Sequence, residues 1–136
     1  MNPLRIVDLL DVTYDFERQA GVLLLREAEG AGRTLAIPVA LADAQQVRRA
    51  ARGESLPRPS THDLTLALLN ASGTHVVSAV VTREEEGLFF AEVHLMTTQG
   101  AQSRDARPSD ALTLALRQTP RAPILVADEV LSRAAL

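Results

Sequence analysis

The chain has no cysteine among its 136 residues. That excludes a disulfide framework, a thiolate nucleophile and any cysteine-ligated zinc or iron–sulfur centre. Lysine is absent too: all 14 basic residues are arginine. No Schiff base or lysine general base is available, whereas arginine suits planar, bidentate recognition of phosphate and carboxylate. A coding bias towards arginine is the bland account of the same count. Tryptophan is missing and aromatics make up only 3%, so a base-stacking platform for single strands is poorly supplied. A basic excess is lacking as well. The net charge of −3 argues against broad non-specific binding of nucleic acid. Hydrophobic residues reach 46%, yet no apolar run approaches the roughly 20 residues of a membrane helix. The run after Met1-Asn2-Pro3 is broken by Asp8 and Asp11, unlike the core of a secretory signal. The expectation is a soluble cytoplasmic protein with no membrane partner.

What is present suits one domain over residues 1–136. A chain of this size buries roughly two thirds of its unfolded surface, enough for a core without staples. Residues 4–12, 21–26 and 33–39 read as strands, the last two as a hairpin, with a polar connection over 13–20. Val22-Leu23-Leu24-Leu25 is a short continuous apolar run, suited to a strand buried on both faces. The period then changes. Leu41, Ala44, Val47 and Ala51 fall at helical spacing, and Gly53 can end that helix. Ser60-Thr61-His62-Asp63 has the composition of a helix start, and a second helix runs to Ser72. Residues 74–83, 88–97 and 102–106 read as a meander, with a charged turn at Glu84-Glu85-Glu86-Gly87. A third helix ends near Gln118, before Pro120 and Pro123. A short strand at 124–126 and a helix over 128–135 complete the order β-β-β-α-α-β-β-β-α-β-α. Grouped strands with interspersed helices predict an α+β fold, with about four helices on a largely antiparallel or mixed sheet.

The densest polar group is Asp105-Ala106-Arg107-Pro108-Ser109-Asp110-Ala111, where a strand gives way to the helix containing Leu112-Thr113-Leu114-Ala115-Leu116. Pro108 suits the first helical position, and Ser109 and Asp110 then lie in the first turn near free N–H groups. Two accounts stand side by side. In one, Ser109 and Asp110 cap the helix and Arg107 pairs with an acid. In the other, Asp105 and Asp110 bind a divalent cation, since hard cations want carboxylate oxygens, and Arg107 holds a phosphate. His62-Asp63 is the second candidate, as a general base or metal ligand or as a hydrogen-bonding pair fixing a helix entry. There is an internal echo. Arg58-Pro59-Ser60 precedes Leu64-Thr65-Leu66-Ala67-Leu68, much as Arg107-Pro108-Ser109 precedes Leu112 to Leu116. Both helices are apolar nearly all round, which calls for burial of both, or for one at a subunit interface.

The same residues carry a family resemblance. Arg58-Pro59-Ser60-Thr61-His62-Asp63-Leu64 resembles the RP-x-THDL element of the bifunctional nuclease domain family. Asp105 to Ala111, followed by Leu112 to Arg117, resembles its DARPSDA signature and the aliphatic helix after it. Phe89-Phe90-Ala91, Leu35 to Val39 with Asp43-Ala44, Pro123 to Val126 and Glu129-Val130-Leu131 resemble further elements in the same order. Ala36, Pro38, Ala40 and Asp43 depart from the family pattern; Asp43 stands where it has glutamate. The resemblance implies a compact α+β domain, associated as a homo-oligomer, with a dimer expected, in a family named for members that cut RNA and DNA. It implies a nuclease hydrolysing phosphodiester bonds, with a non-catalytic ligand- or protein-binding module as the alternative. Matched to the motifs, the expected catalytic residues are His62, Asp63, Asp105 and Asp110. Arg58, Arg107 and Ser109 are expected to bind substrate. Asp63, Asp105 and Asp110 would hold the cation, magnesium or manganese, that activates water.

Overall fold

A computed structural model describes residues 3–136. Within them the elements are β1 (Leu4–Asp15), β2 (Ala20–Glu27), β3 (Thr34–Ala40), α1 (Leu41–Ala51), α2 (Thr61–Ala71), β4 (His75–Glu85), β5 (Leu88–Thr97), β6 (Gly100–Ala106), α3 (Pro108–Arg117), β7 (Ile124–Ala127) and α4 (Asp128–Ala134). The strands form one sheet in the order β3-β2-β1-β7-β4-β5-β6. Every neighbouring pair is antiparallel except β4 with β7. The result is a single compact α+β domain on a mixed sheet, in the element order that the periodicity predicts. No described helix is long and apolar enough to cross a membrane.

Strand parity explains the core. Leu23 pairs with Ile37, Leu25 with Leu35 and Val12 with Leu23. Val7 and Ala79 both face Ile124, and Val81 faces Val126 and Ala91. These side chains share one face of the sheet and are buried with Ala44, Val47, Leu112 and Leu131 from the helices. The other face has no equivalent layer. Ile6 on it is 59% exposed, and Val22 and Leu24 are only half-buried. The apolar run in β2 is therefore buried on one face, not both as its composition suggests. β1 also outlasts its expected end at Val12. A bulge between Leu9 and Asp11 lets Thr13 and Tyr14 pair with Val22 and Gly21. The charged turn is shorter than expected, because β4 reaches Glu85 and only Glu86 and Gly87 turn the chain, both at positive φ.

The two apolar helices have different fates. α3 is central: Pro108, Ser109 and the run Ala111 to Ala115 are buried, between α1, α2 and the strands β4 and β5. α2 lies outside α3 and buries Leu66 alone. The sheet curls around this centre so far that its two edges, β3 and β6, line one cleft of about 410 Å³.

The other end is closed by ion pairs. Glu27, 4% exposed, accepts from Arg5 Nε (3.1 Å) and Arg33 Nε (2.7 Å). Arg33 also reaches Asp128 at the start of α4 (2.6 Å). Arg33, with help from Arg5, holds the Glu27 carboxyl at about 2, against the pull of burial in the other direction.

Candidate functional site

The entries of α1 and α3 meet at the β3–β6 cleft, and the entry of α2 lies beside them. α1 follows β3 directly and carries Asp43 in its first turn. α3 follows β6 directly: Arg107 is its N-cap residue, in extended conformation, with Pro108 at the first helical position. α2 begins differently. Ser60 is its N-cap, its hydroxyl accepting from Asp63 N (3.1 Å) while Asp63 Oδ2 accepts from Ser60 N (3.0 Å), a complete capping box. The two Arg-Pro-Ser copies thus start their helices two residues apart, one capped by its serine and the other by its arginine, yet their helices touch.

The contact between them runs through His62. Its Nε2 lies 2.9 Å from Asp110 Oδ1. Asp110 is gripped from its other side by Arg107, Nε to Oδ2 at 2.9 Å and Nη2 to Oδ1 at 3.2 Å, a two-pronged pair. Arg107 then spans to α1, with Nη1 2.9 Å from Asp43 Oδ2. The chain His62–Asp110–Arg107–Asp43 ties the three helix N-termini together. Burial pushes the Asp110 carboxyl up, but hydrogen bonds from Arg107 and His62 outweigh it and leave the group below its ordinary value. Asp110 in turn raises Arg107. Despite both partners, the Arg107 side chain remains 63% exposed. Its outer edge faces the cleft, and a second hollow of about 500 Å³ opens beside His62 and Thr65.

The expected residues separate into groups. His62, Arg107 and Asp110 meet. Ser109 is buried in the first turn of α3, where its carbonyl accepts from Thr113 Oγ1 (2.7 Å), and it lines the cleft. Asp105 lines the cleft from β6, exposed and without an ion pair among the described residues. Asp63 does not join them. Its carboxylate is spent on the α2 cap, and the Ser60 N–H holds it below its ordinary value. Arg58 stays exposed in the loop before α2. The three acids expected to share a cation are therefore dispersed. Among the described residues no three histidines or acids stand where they could hold a metal ion. The acids that do approach each other, Asp43 and Asp110, have the Arg107 guanidinium between them, and a cation does not suit that space.

Asp43 is the participant that the motifs pass over. The signal for it was an acid in the first turn of a helix directly after a strand, at the position where the family pattern carries glutamate. His62 brings a further constraint. Its Nδ1 is buried without a hydrogen-bond partner. Asp110 is an acceptor, so Nε2 donates to it, and Nδ1 is enclosed by protein rather than open to the cleft.

A family model described as Bifunctional nuclease domain matches residues 23–136, from β2 to the C-terminus. Two Mycobacterium tuberculosis proteins from different strains, named as uncharacterized proteins MT1877 and Rv1829, are each 37% identical to the chain over 130 residues. Those alignments cover 96% of this chain and 76% of each relative. The Arg107-centred junction that closes the cleft is thus the structural form of the DARPSDA signature, and the chain belongs to the bifunctional nuclease domain family.

Proposed function

We propose that this chain cleaves phosphodiester bonds of nucleic acid at the β3–β6 cleft, without a cation held by its carboxylates. The observation that carries this reading is Arg107. It is a guanidinium fixed at two points by Asp110 and Asp43, still largely exposed, at the meeting point of three helix N-termini. Those N-termini add positive potential that offsets the two acids. A phosphate entering the cleft meets fixed N–H donors where charge develops on its non-bridging oxygens. Asp105, on the same cleft, is placed to take the proton of the attacking water or ribose hydroxyl. The new oxygen–phosphorus bond forms as the bond to the leaving oxygen breaks, and the proton passes from Asp105 to that leaving oxygen. His62 holds Asp110, and through it Arg107.

The test is release of labelled fragments from RNA and single-stranded DNA, with and without EDTA. Wild type is compared with Arg107→Gln and Asp105→Asn, each checked for folding by circular dichroism. Loss of the Arg107 donors is expected to slow cutting by about 10²-fold, with EDTA leaving wild type active. Equal cutting by folded variants would attribute the activity to a contaminant and end the assignment.

A second reading, a non-catalytic module that holds an anionic ligand at Arg107, is favoured by His62. One ring nitrogen is engaged by Asp110 and the other is buried, so the imidazole is not free to shuttle a proton. Ligand retention that depends on Arg107, with no fragment released, would select it.

A further inference from the structure

We infer that the β3–β6 cleft receives one unpaired nucleotide at a time, with its base against the apolar walls and its phosphodiester on Arg107. This rests on the cleavage reading above and adds which part of the substrate the cleft holds. The lining is unlike that of a groove that tracks a nucleic-acid backbone, which is basic along its length. Among the described residues that line this cleft, Arg107 is the single basic one. Most of the rest is apolar. Pro38 and Val39 come from the β3 side, Leu88, Phe89 and Ala106 from the β6 side, with Pro108 beside Arg107. Leu88 directly follows the Glu86-Gly87 turn and is 62% exposed, which leaves its side chain available to an incoming ring. A chain with 3% aromatics cannot stack a run of bases. One ring needs only one pair of apolar walls.

Size, polarity and charge agree. The cleft of about 410 Å³ lies at the small end of the roughly 300–1,000 Å³ of ligand pockets. It has room for a base with its sugar and phosphate, and none for a base-paired duplex. β3 and β6 are the edges of the sheet, and edge strands present backbone N–H and C=O groups without ladder partners. Those groups suit the polar rim of a base whose faces lie on the apolar side chains. Charge then selects the kind of phosphate. Arg107 shares its charge with Asp43 and Asp110, and Asp105 stands on the same cleft. A phosphodiester carries one negative charge, whereas a terminal phosphate carries about 1.5 to 2 at pH 7. The acids repel the terminal group more strongly, so the cleft is matched to an internal phosphate in an unpaired stretch.

Calorimetric titration of the full chain with adenosine 5′-(methyl phosphate), a singly charged nucleotide, tests this. Adenosine and ribose 5-(methyl phosphate) supply its two halves. The nucleotide should bind at least about tenfold more tightly than either half, the loss expected when one stacked base is removed. Leu88→Asn should weaken the nucleotide by about fivefold and leave the ribose half unchanged. Saturation-transfer NMR gives a second measurement that needs no variant: adenine protons should draw more magnetisation from the protein than ribose protons do. A nucleotide that does not bind, a ribose half that binds as tightly as the nucleotide, or decanoate binding more tightly than the nucleotide would each overturn the inference. The two readings fail separately. Leu88-dependent nucleotide binding without fragment release supports the base pocket and ends the cleavage reading. Arg107-dependent fragment release with nucleotide and ribose half bound alike does the reverse.

Discussion

Gly21 is the tightest point between sheet and helix, and replacing it tests how α1 is seated. It lies in β2 opposite Tyr14, on the face that α1 covers. A Cβ added there would collide with the Cβ of Ala44 and stand 3.1 Å from the carbonyl oxygen of Thr13. Both obstacles are hard, one a backbone atom and the other the stub of a fully buried residue in mid-helix. No flexible side chain can swing aside, so Gly21→Ala must push α1 off the sheet. Overpacking of this kind costs about 1–3 kcal/mol, and a rigid clash belongs near 2. With a urea slope of about 2 kcal/mol per molar, the unfolding midpoint should fall by about 1 M. Ala44→Gly alone should cost about 1 kcal/mol from helix propensity. The double variant removes the collision, so its loss should be smaller than the sum of the two by about 1 kcal/mol or more. Because Asp43 precedes Ala44, the retreat of α1 also stretches the 2.9 Å contact to Arg107. A Gly21→Ala midpoint within about 0.2 M of wild type, or strict additivity in the double variant, would refute the close approach.

Two further predictions concern the closures at either end of the molecule. The folded Glu27 carboxyl, at about 2 against an ordinary 4.5, contributes stability that is fully present above pH 4.5 and is lost as pH falls towards 2. Urea midpoints measured from pH 6 to pH 3 should therefore drop more steeply for wild type than for Glu27→Gln; parallel profiles would remove Glu27 as the acid-sensitive group. Ser60→Ala deletes the α2 cap and should cost about 1 kcal/mol by urea unfolding followed by circular dichroism, and an unchanged midpoint would show that the capping box contributes nothing.

The element order was legible because most segments state their period plainly. β5 and the start of α1 fall at the residues where alternation and helical spacing put them. Sheet order was not legible. β7 slots between β1 and β4, a placement fixed by Val7, Ala79 and Ile124 across long separations rather than by anything local. The two Leu-Thr-Leu-Ala-Leu runs show the limit most clearly. Identical composition gives one helix at the centre of the core and one on the surface, since neighbours and not propensity decide burial. At the site, the motifs singled out His62, Arg107 and Asp110, which do meet. Asp63 misled because a carboxylate beside a histidine has the same sequence whether it serves a cap or a ligand. Asp43 lies 64 residues from Arg107 along the chain, a pairing that spacing alone cannot reveal.

The curled sheet stops short of closing. β3 and β6 face one another across the cleft as the two edges of the sheet, without a ladder between them. What crosses there is a clasp: Arg107, one residue beyond β6, hooked onto Asp43, three beyond β3. An anion that captures the guanidinium must compete with Asp43 for the same N–H groups, so arrival of the ligand loosens the fastening of its own doorway. Salt acts in the same direction, since a largely exposed ion pair weakens as the screening length shrinks to about 8 Å at physiological ionic strength. The width of the opening is thereby tied to what occupies Arg107.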